Sequence, residues 1–201
     1  TLFAHSDVPV VDPDGAWAAF CSSTGGWLPL ICTMNCTVAT EQVATLFGFG
    51  AGALVNLADP APALKRDEII QIGIRSVDDA EKRFVHEQGL EVFDMRSIDE
   101  MSMRTVMQQA LQSVDDDTHL HVSFDVDFLD PDIAPGVGTT VRGGPTYREA
   151  QLCMEMIADS GCLASLDIVE LNPALDVRNK TALLAVDLVE SLFGKSTLMR
   201  R

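Results

Sequence analysis

The chain has 201 residues, 47% of them hydrophobic, and a mean hydropathy of +0.15; that is enough for one domain with a buried core and unlike a disordered chain. No apolar run reaches the roughly 18 residues of a membrane span. The greasy stretch Gly26–Cys36 is short, carries Pro29 and Asn35, and lies too far inside the chain for a signal peptide, so a cytoplasmic location is expected. A balance of 14 Lys+Arg against 30 Asp+Glu gives a formal charge of -16, which argues against nucleic acid and anionic membranes as partners.

The cysteines are Cys21, Cys32, Cys36, Cys153 and Cys162. Their odd count argues for reduced thiols. Cys32 and Cys36 have a loosely zinc-like spacing, but no second Cys/His pair follows, so all five are expected to act as small buried hydrophobes.

In chain order, the first feature is a charge asymmetry: no Lys or Arg occurs between Thr1 and Leu64. The opening residues are also rich in Gly, Pro, Cys and Thr without a period of two or 3.6. Residues 1–43 are therefore expected to form an irregular or divergent segment, less ordered than the rest, and residues 44–201 a regular α/β domain. Val43–Leu57 reads as an apolar helix weakened by Gly48, Gly50 and Gly52. Ile69–Ile74 reads as a buried strand, Asp78–Gln88 as a helix stopped by Gly89, and Leu90–Phe93 as a second strand. Asp99 is expected to cap a helix beginning near Glu100. His119–Asp127 is a third strand. Thr146 and Glu149 form a capping box before another helix, Ala164–Leu171 is a fourth strand, and Asn179–Phe193 a closing helix ended by Gly194. Strands alternating with helices imply βαβ units and a parallel sheet covered on both faces.

In such sheets, sites form beyond the carboxyl ends of the strands. Strand alternation places Asp125 and Asp127 on one face, where two adjacent carboxylates repel each other unless a cation binds between them. Pro131 and Pro135 stiffen the exit loop, and Gly136, Gly138, Gly143 and Gly144 let its backbone turn closely. All-oxygen ligation suits Mg²⁺, Ca²⁺ or Mn²⁺. The plain alternative is a loop-capping Asp beside a solvated one.

The stretch Ser123-Phe-Asp125-Val-Asp127-Phe-Leu-Asp130-Pro-Asp-Ile-Ala-Pro-Gly-Val-Gly-Thr139 strongly resembles the signature of the arginase/agmatinase (ureohydrolase) family. Gly143-Gly144-Pro-Thr-Tyr-Arg148-Glu149 looks like the family's next helix, and Asp167-Ile-Val-Glu170-Leu-Asn172-Pro173 like its last active-site strand; the resemblance runs from about Thr45 to Leu192. It implies a three-layer αβα fold with a mostly parallel sheet and a binuclear manganese centre. It also implies hydrolysis of L-arginine to ornithine and urea by a metal-activated hydroxide. On that resemblance Asp125 and Asp127 are metal ligands, and Asp125 and Glu170 form the catalytic set. Glu170 also accepts the substrate guanidinium, Asp78 and Glu81 recognise the α-amino group, and Thr139 lies in the loop beside the metals.

Asp78 is expected near the ends of adjoining strands, across the site from Asp125 and Asp127. Read from its position alone it is a helix N-cap. His121 matches a strand histidine expected to make a hydrogen bond behind the site. The family's earlier metal segments are not intact, so the pattern is N-terminally incomplete. Phe3-Ala4-His5-Ser6-Asp7 resembles one of them, with Phe3 where the family has a bridging Asp, and makes His5 and Asp7 further metal candidates. The expected partner is a small cationic substrate, with homo-oligomerisation through the region of Arg148 and Glu149. Two alternatives stay open: an agmatinase-like ureohydrolase, and a catalytically impaired relative serving as a structural or oligomeric subunit.

Overall fold

The computed structural model describes residues 30–33, 44–56 and 61–198. They build a five-stranded, wholly parallel sheet from β1 (Leu30–Thr33), β2 (Ile69–Ile74), β3 (Glu91–Asp94), β4 (Leu120–Asp125) and β5 (Leu163–Val169), in the order β3-β2-β1-β4-β5. The helices are α1 (Gly52–Val55), α2 (Asp79–Gln88), α3 (Met95–Met101), α4 (Met103–Ala110), α5 (Tyr147–Ser160) and α6 (Lys180–Leu192).

Strand β2 shows why the architecture has three layers. All six of its residues are buried, as a central parallel strand demands. Ile70 and Ile72 join the larger core with Phe93, Val106, Met107, Val122, Phe124 and Met154, which the α3–α6 side covers. Ile69 and Ile74 turn the other way, into a smaller cluster with Leu90, Phe47 and Phe84. Apolar area buried at about 25 cal/mol per Å² on both faces is what holds the sheet between its helices.

Several sequence expectations need correction. Leu30–Thr33 lies within the stretch expected to be irregular, yet it forms β1, the middle strand, pairing Leu30 with Ile69 on one side and with His121 on the other. The single helix expected over Val43–Leu57 is broken: Gly48 and Gly50 adopt φ of +89° and +113°, and only Gly52–Val55 is helical beyond them. The helix expected from Glu100 starts earlier, because Asp94 rather than Asp99 is its cap, accepting from the Ser97 N–H at 2.8 Å. It is then split at Ser102, whose φ of +76° no α-helix tolerates. The other helices begin and end within a residue or two of their expected limits. Asp78 caps α2 and Gly89 closes it in the left-handed conformation, while Thr146 and Glu149 form the capping box of α5.

Among the described residues no helix is long and apolar enough to cross a membrane. Cys153 and Cys162 are free thiols; Cys153 is fully buried and burial pushes its thiol up to about 12, the behaviour of a small hydrophobe.

Candidate metal and substrate site

The carboxyl ends of β4 and β5 bring three carboxylates together. Strand β4 ends at Asp125, and the chain turns at once into a 3-10 turn, Val126–Phe128. Asp125 and Asp127 are therefore neighbours for a different reason from strand alternation. The Asp127 N–H donates to Asp125 Oδ1 at 3.0 Å, folding the second carboxylate back beside the first. Both residues are only 2% exposed.

Burial and mutual repulsion have the expected electrostatic result. Burial first, then the Asp127 charge, raises Asp125 well above the usual carboxylate range. Asp127 is pushed up to about 6, mainly by burial, with the nearby Glu170 charge raising it further and the Asp125 hydrogen bond and Arg75 opposing. The pair is thus poorly matched to its surroundings when ionised and metal-free.

Glu170 follows β5 directly and adopts a φ of +63°, a left-handed conformation that costs a non-glycine residue about 1–3 kcal/mol. Two contacts hold that turn in place: the Val137–Leu171 bridge, and the Asn172 N–H donating to the Gly136 carbonyl at 2.8 Å. They lay the signature loop against the carboxylate. A Cβ at Gly138 would lie 3.4 Å from Glu170 Oε2, so Gly138 leaves open the approach to that oxygen. Backbone strain retained at a residue whose charge acts on two other carboxylates fits a group placed for chemistry rather than for folding.

Beneath Asp125, β4 and β5 are clipped together by polar side chains. His121 Nδ1 lies 2.6 Å from Ser165 Oγ and His121 Nε2 lies 3.1 Å from Asp167 Oδ2, while Ser123 donates to Asp167 Oδ1 at 2.6 Å. Burial raises Asp167, but the hydrogen bonds from His121 and Ser123 outweigh it and hold this carboxylate below its usual range. His121 thus makes the kind of hydrogen bond expected of it. The sequence reading did not single out Ser123, Ser165 or Asp167 for this network, although polar residues at alternate positions of an otherwise apolar strand are a readable signal.

The remaining sequence candidates are placed as follows. Asp78 is exposed and accepts from the Ala80 and Glu81 N–H groups at 2.7 and 2.9 Å, so its capping role is real. Glu81, 6% exposed, returns the contact by accepting from the Asp78 N–H at 2.8 Å. Both residues lie at the same sheet edge as Asp125, but not on an adjoining strand: β1 separates β2 from β4. Thr139 is exposed in the loop next to Gly138. His5 and Asp7 lie outside the described residues.

The donor chemistry fits a hard divalent cation in part. Two buried, mutually repelling carboxylates match such an ion in charge and in oxygen ligation. Among the described residues, however, no group of three or more His, Cys, Asp and Glu side chains is arranged to hold a metal.

The raised carboxylates also predict how metal-free stability depends on pH. Asp127 titrates near 6 when folded against about 3.9 unfolded, so the native chain binds more protons in that window and its stability falls as pH rises from 4 to 6. Asp127→Asn removes that penalty. In EDTA at pH 7.5 the variant should exceed the parent by up to about 3 kcal/mol in urea unfolding, and the two should converge near pH 4. A variant less stable than the parent at pH 7.5 would contradict this electrostatic reading.

The chain is similar to known proteins in sequence and in fold. Residues 38–194 match the model of the Arginase family. The arginase of Bacillus subtilis (strain 168) is 45% identical over 156 residues, which cover 78% of this chain and 53% of that protein. The arginase of Agrobacterium fabrum is 52% identical over 152 residues, covering 75% and 47%. The chain spans about half the length of the curated relatives it matches. Among solved structures, arginase from Bacillus subtilis superposes with a TM-score of 0.80 at 43% identity, covering 85% of this chain and 64% of the other. Arginase from Bacillus cereus gives 0.83 at 36%, covering 90% and 66%. With its parallel sheet, the carboxylates at the ends of β4 and β5, and this extent of similarity, the chain belongs to the arginase family.

Proposed function

We propose that the chain carries the carboxylate half of an arginase-type, manganese-dependent ureohydrolase site, which cleaves the guanidinium group of L-arginine to ornithine and urea. The observation that supports this most is the buried Asp125–Asp127 pair with the Glu170 charge close enough to act on both. Asp125 and Asp127 would hold manganese, which when bound supplies Lewis acidity and brings water ionisation into the neutral range. Glu170 is suited to a planar guanidinium through charge-assisted, two-pronged hydrogen bonds. The left-handed turn at Glu170 sets the direction in which its side chain leaves the backbone. Asp78 and Glu81, at the start of α2 just after β2, supply negative charge where the amino-acid head of the substrate would lie, and Thr139 belongs to the signature loop.

The test is urea release from L-arginine by the parent chain with manganese. Stoichiometric turnover that EDTA abolishes supports the reading; no urea from protein shown to hold manganese would oppose it. A second reading, a catalytically impaired member acting in an assembly, is favoured by one observation: the described residues bring no third metal-ligating side chain to the Asp125–Asp127 pair. Metal-independent association without urea release would support it.

Asp78 separates arginine from agmatine, which keeps the guanidinium but lacks the amino-acid head. A charge-assisted contact to an ammonium is worth about 1.5–3 kcal/mol, so Asp78→Ala should weaken arginine binding roughly ten- to a hundredfold and agmatine binding much less. Equal losses for both ligands, measured by calorimetry, would mean that the side chain serves α2 alone.

A further inference from the structure

The segment after β4 carries Asp127 but has little regular structure of its own, and its carbonyl groups converge on one distant side chain. Arg75, the residue directly after β2, donates from Nη2 to the carbonyls of Asp127 at 3.0 Å, Leu129 at 3.2 Å and Val141 at 2.7 Å. Its Nη1 donates to the Phe128 carbonyl at 2.9 Å and its Nε to Val141 at 3.0 Å. A guanidinium offers five N–H groups in a rigid planar fork, and this fork spans three consecutive peptides of the turn and one, at Val141, from the returning side of the loop. Strands β2 and β4 are not neighbours, so Arg75 reaches across the end of β1 to do this.

The surroundings leave the turn little alternative. A Cβ on Gly73 would come within 2.3 Å of the Phe128 ring, and one on Gly144 within 2.6 Å of the Asp130 N and 2.7 Å of the Phe128 carbonyl oxygen. Asp130 accepts from the Gly143 and Gly144 N–H groups at 2.8 and 3.1 Å, closing the loop onto itself. Packing and loop closure fix where the turn lies; the hydrogen bonds from Arg75 act on the peptide of Asp127 itself.

We propose that Arg75 is a positioning residue for the cation site: its fork holds the 127–129 carbonyls so that the Asp127 carboxylate is preset beside Asp125 before metal arrives. This rests on the reading of Asp125 and Asp127 as manganese ligands. A group that orients a metal ligand from outside changes metal affinity about 10- to 100-fold when removed, whereas a group that only stabilises the fold changes the melting temperature and leaves affinity per folded molecule alone.

The experiment is calorimetric titration of Mn²⁺ into the parent chain, Arg75→Met, Arg75→Lys and Asp127→Ala, below the melting temperature of each as followed by circular dichroism. Arg75→Met should weaken manganese about 10- to 100-fold, and Arg75→Lys, which keeps the charge but loses the fork, should recover only part of that loss. If Arg75→Met does not fold, Arg75→Lys alone carries the test through its weakened affinity. Parental affinity in Arg75→Met, with binding lost in Asp127→Ala, overturns this inference and leaves the metal site standing. Full recovery in Arg75→Lys overturns it as well, because charge alone would then suffice. Undiminished binding in Asp127→Ala, or none in the parent, overturns the metal site and this inference together.

Discussion

Asp127→Ala should abolish manganese binding and all urea release while leaving the metal-free chain at least as stable as its parent at neutral pH. The two effects have one cause. Asp127 is buried beside Asp125, and burial lifts it to about 6, so its ionised form is a burden to the apo fold and an asset only when a cation is present. On the proposed reading, alanine removes one of the two carboxylates that would hold manganese among the described residues, whereas removing a buried like charge relieves repulsion. The measurement pairs calorimetric manganese binding with urea unfolding in EDTA. A variant that loses metal because it has unfolded would show a collapsed unfolding midpoint instead.

Glu170→Gln should cut urea release per unit of arginine by about 10²- to 10⁴-fold. Two charge-assisted hydrogen bonds to a guanidinium are worth about 3–6 kcal/mol together, and glutamine offers one neutral acceptor and an opposing donor in their place. Stability should scarcely change, because glutamine has the same length and meets the same left-handed backbone at φ of +63°. Glu170→Gly makes a useful companion: it relaxes that backbone, so the melting temperature should hold or rise while activity is lost. Parental kcat/KM in Glu170→Gln would remove this residue from the site.

The sequence showed the chemistry more clearly than the geometry behind it. Asp125 and Asp127 were visible as a pair because an apolar strand ending in two acids is conspicuous. The reason they meet is a 3-10 turn closed by the Asp127 N–H on Asp125, which alternation along a strand does not foretell. Glu170 was legible by resemblance alone; its left-handed backbone depends on the Val137–Leu171 bridge, a contact between residues far apart in sequence. Strand β1 was missed altogether. A four-residue strand in the middle of a parallel sheet needs no alternation, and Leu30–Thr33 follows a proline in a segment without period. The break at Ser102 was equally hidden: the expected helix began near Glu100 and ran through that position, and the true cap, Asp94, sits at the end of a strand. Caps set by neighbours in sequence, such as the Asp78 N-cap and the Thr146–Glu149 box, were read correctly because their causes are local; that Glu81 completes a box with Asp78 emerges only in the structure. The grip of Arg75 on the 127–141 loop is the reverse case, a local-looking arginine whose partners are more than 50 residues away.

The central claim, that the ends of β4 and β5 form a cation site of arginase type, is tested most directly by metal content. Manganese per chain should be determined by elemental analysis after equilibrium dialysis of the parent and of a variant carrying both Asp125→Ala and Asp127→Ala. The account predicts stoichiometric manganese in the parent and none above background in the variant. Equal manganese in the two proteins, or none in either, would contradict it.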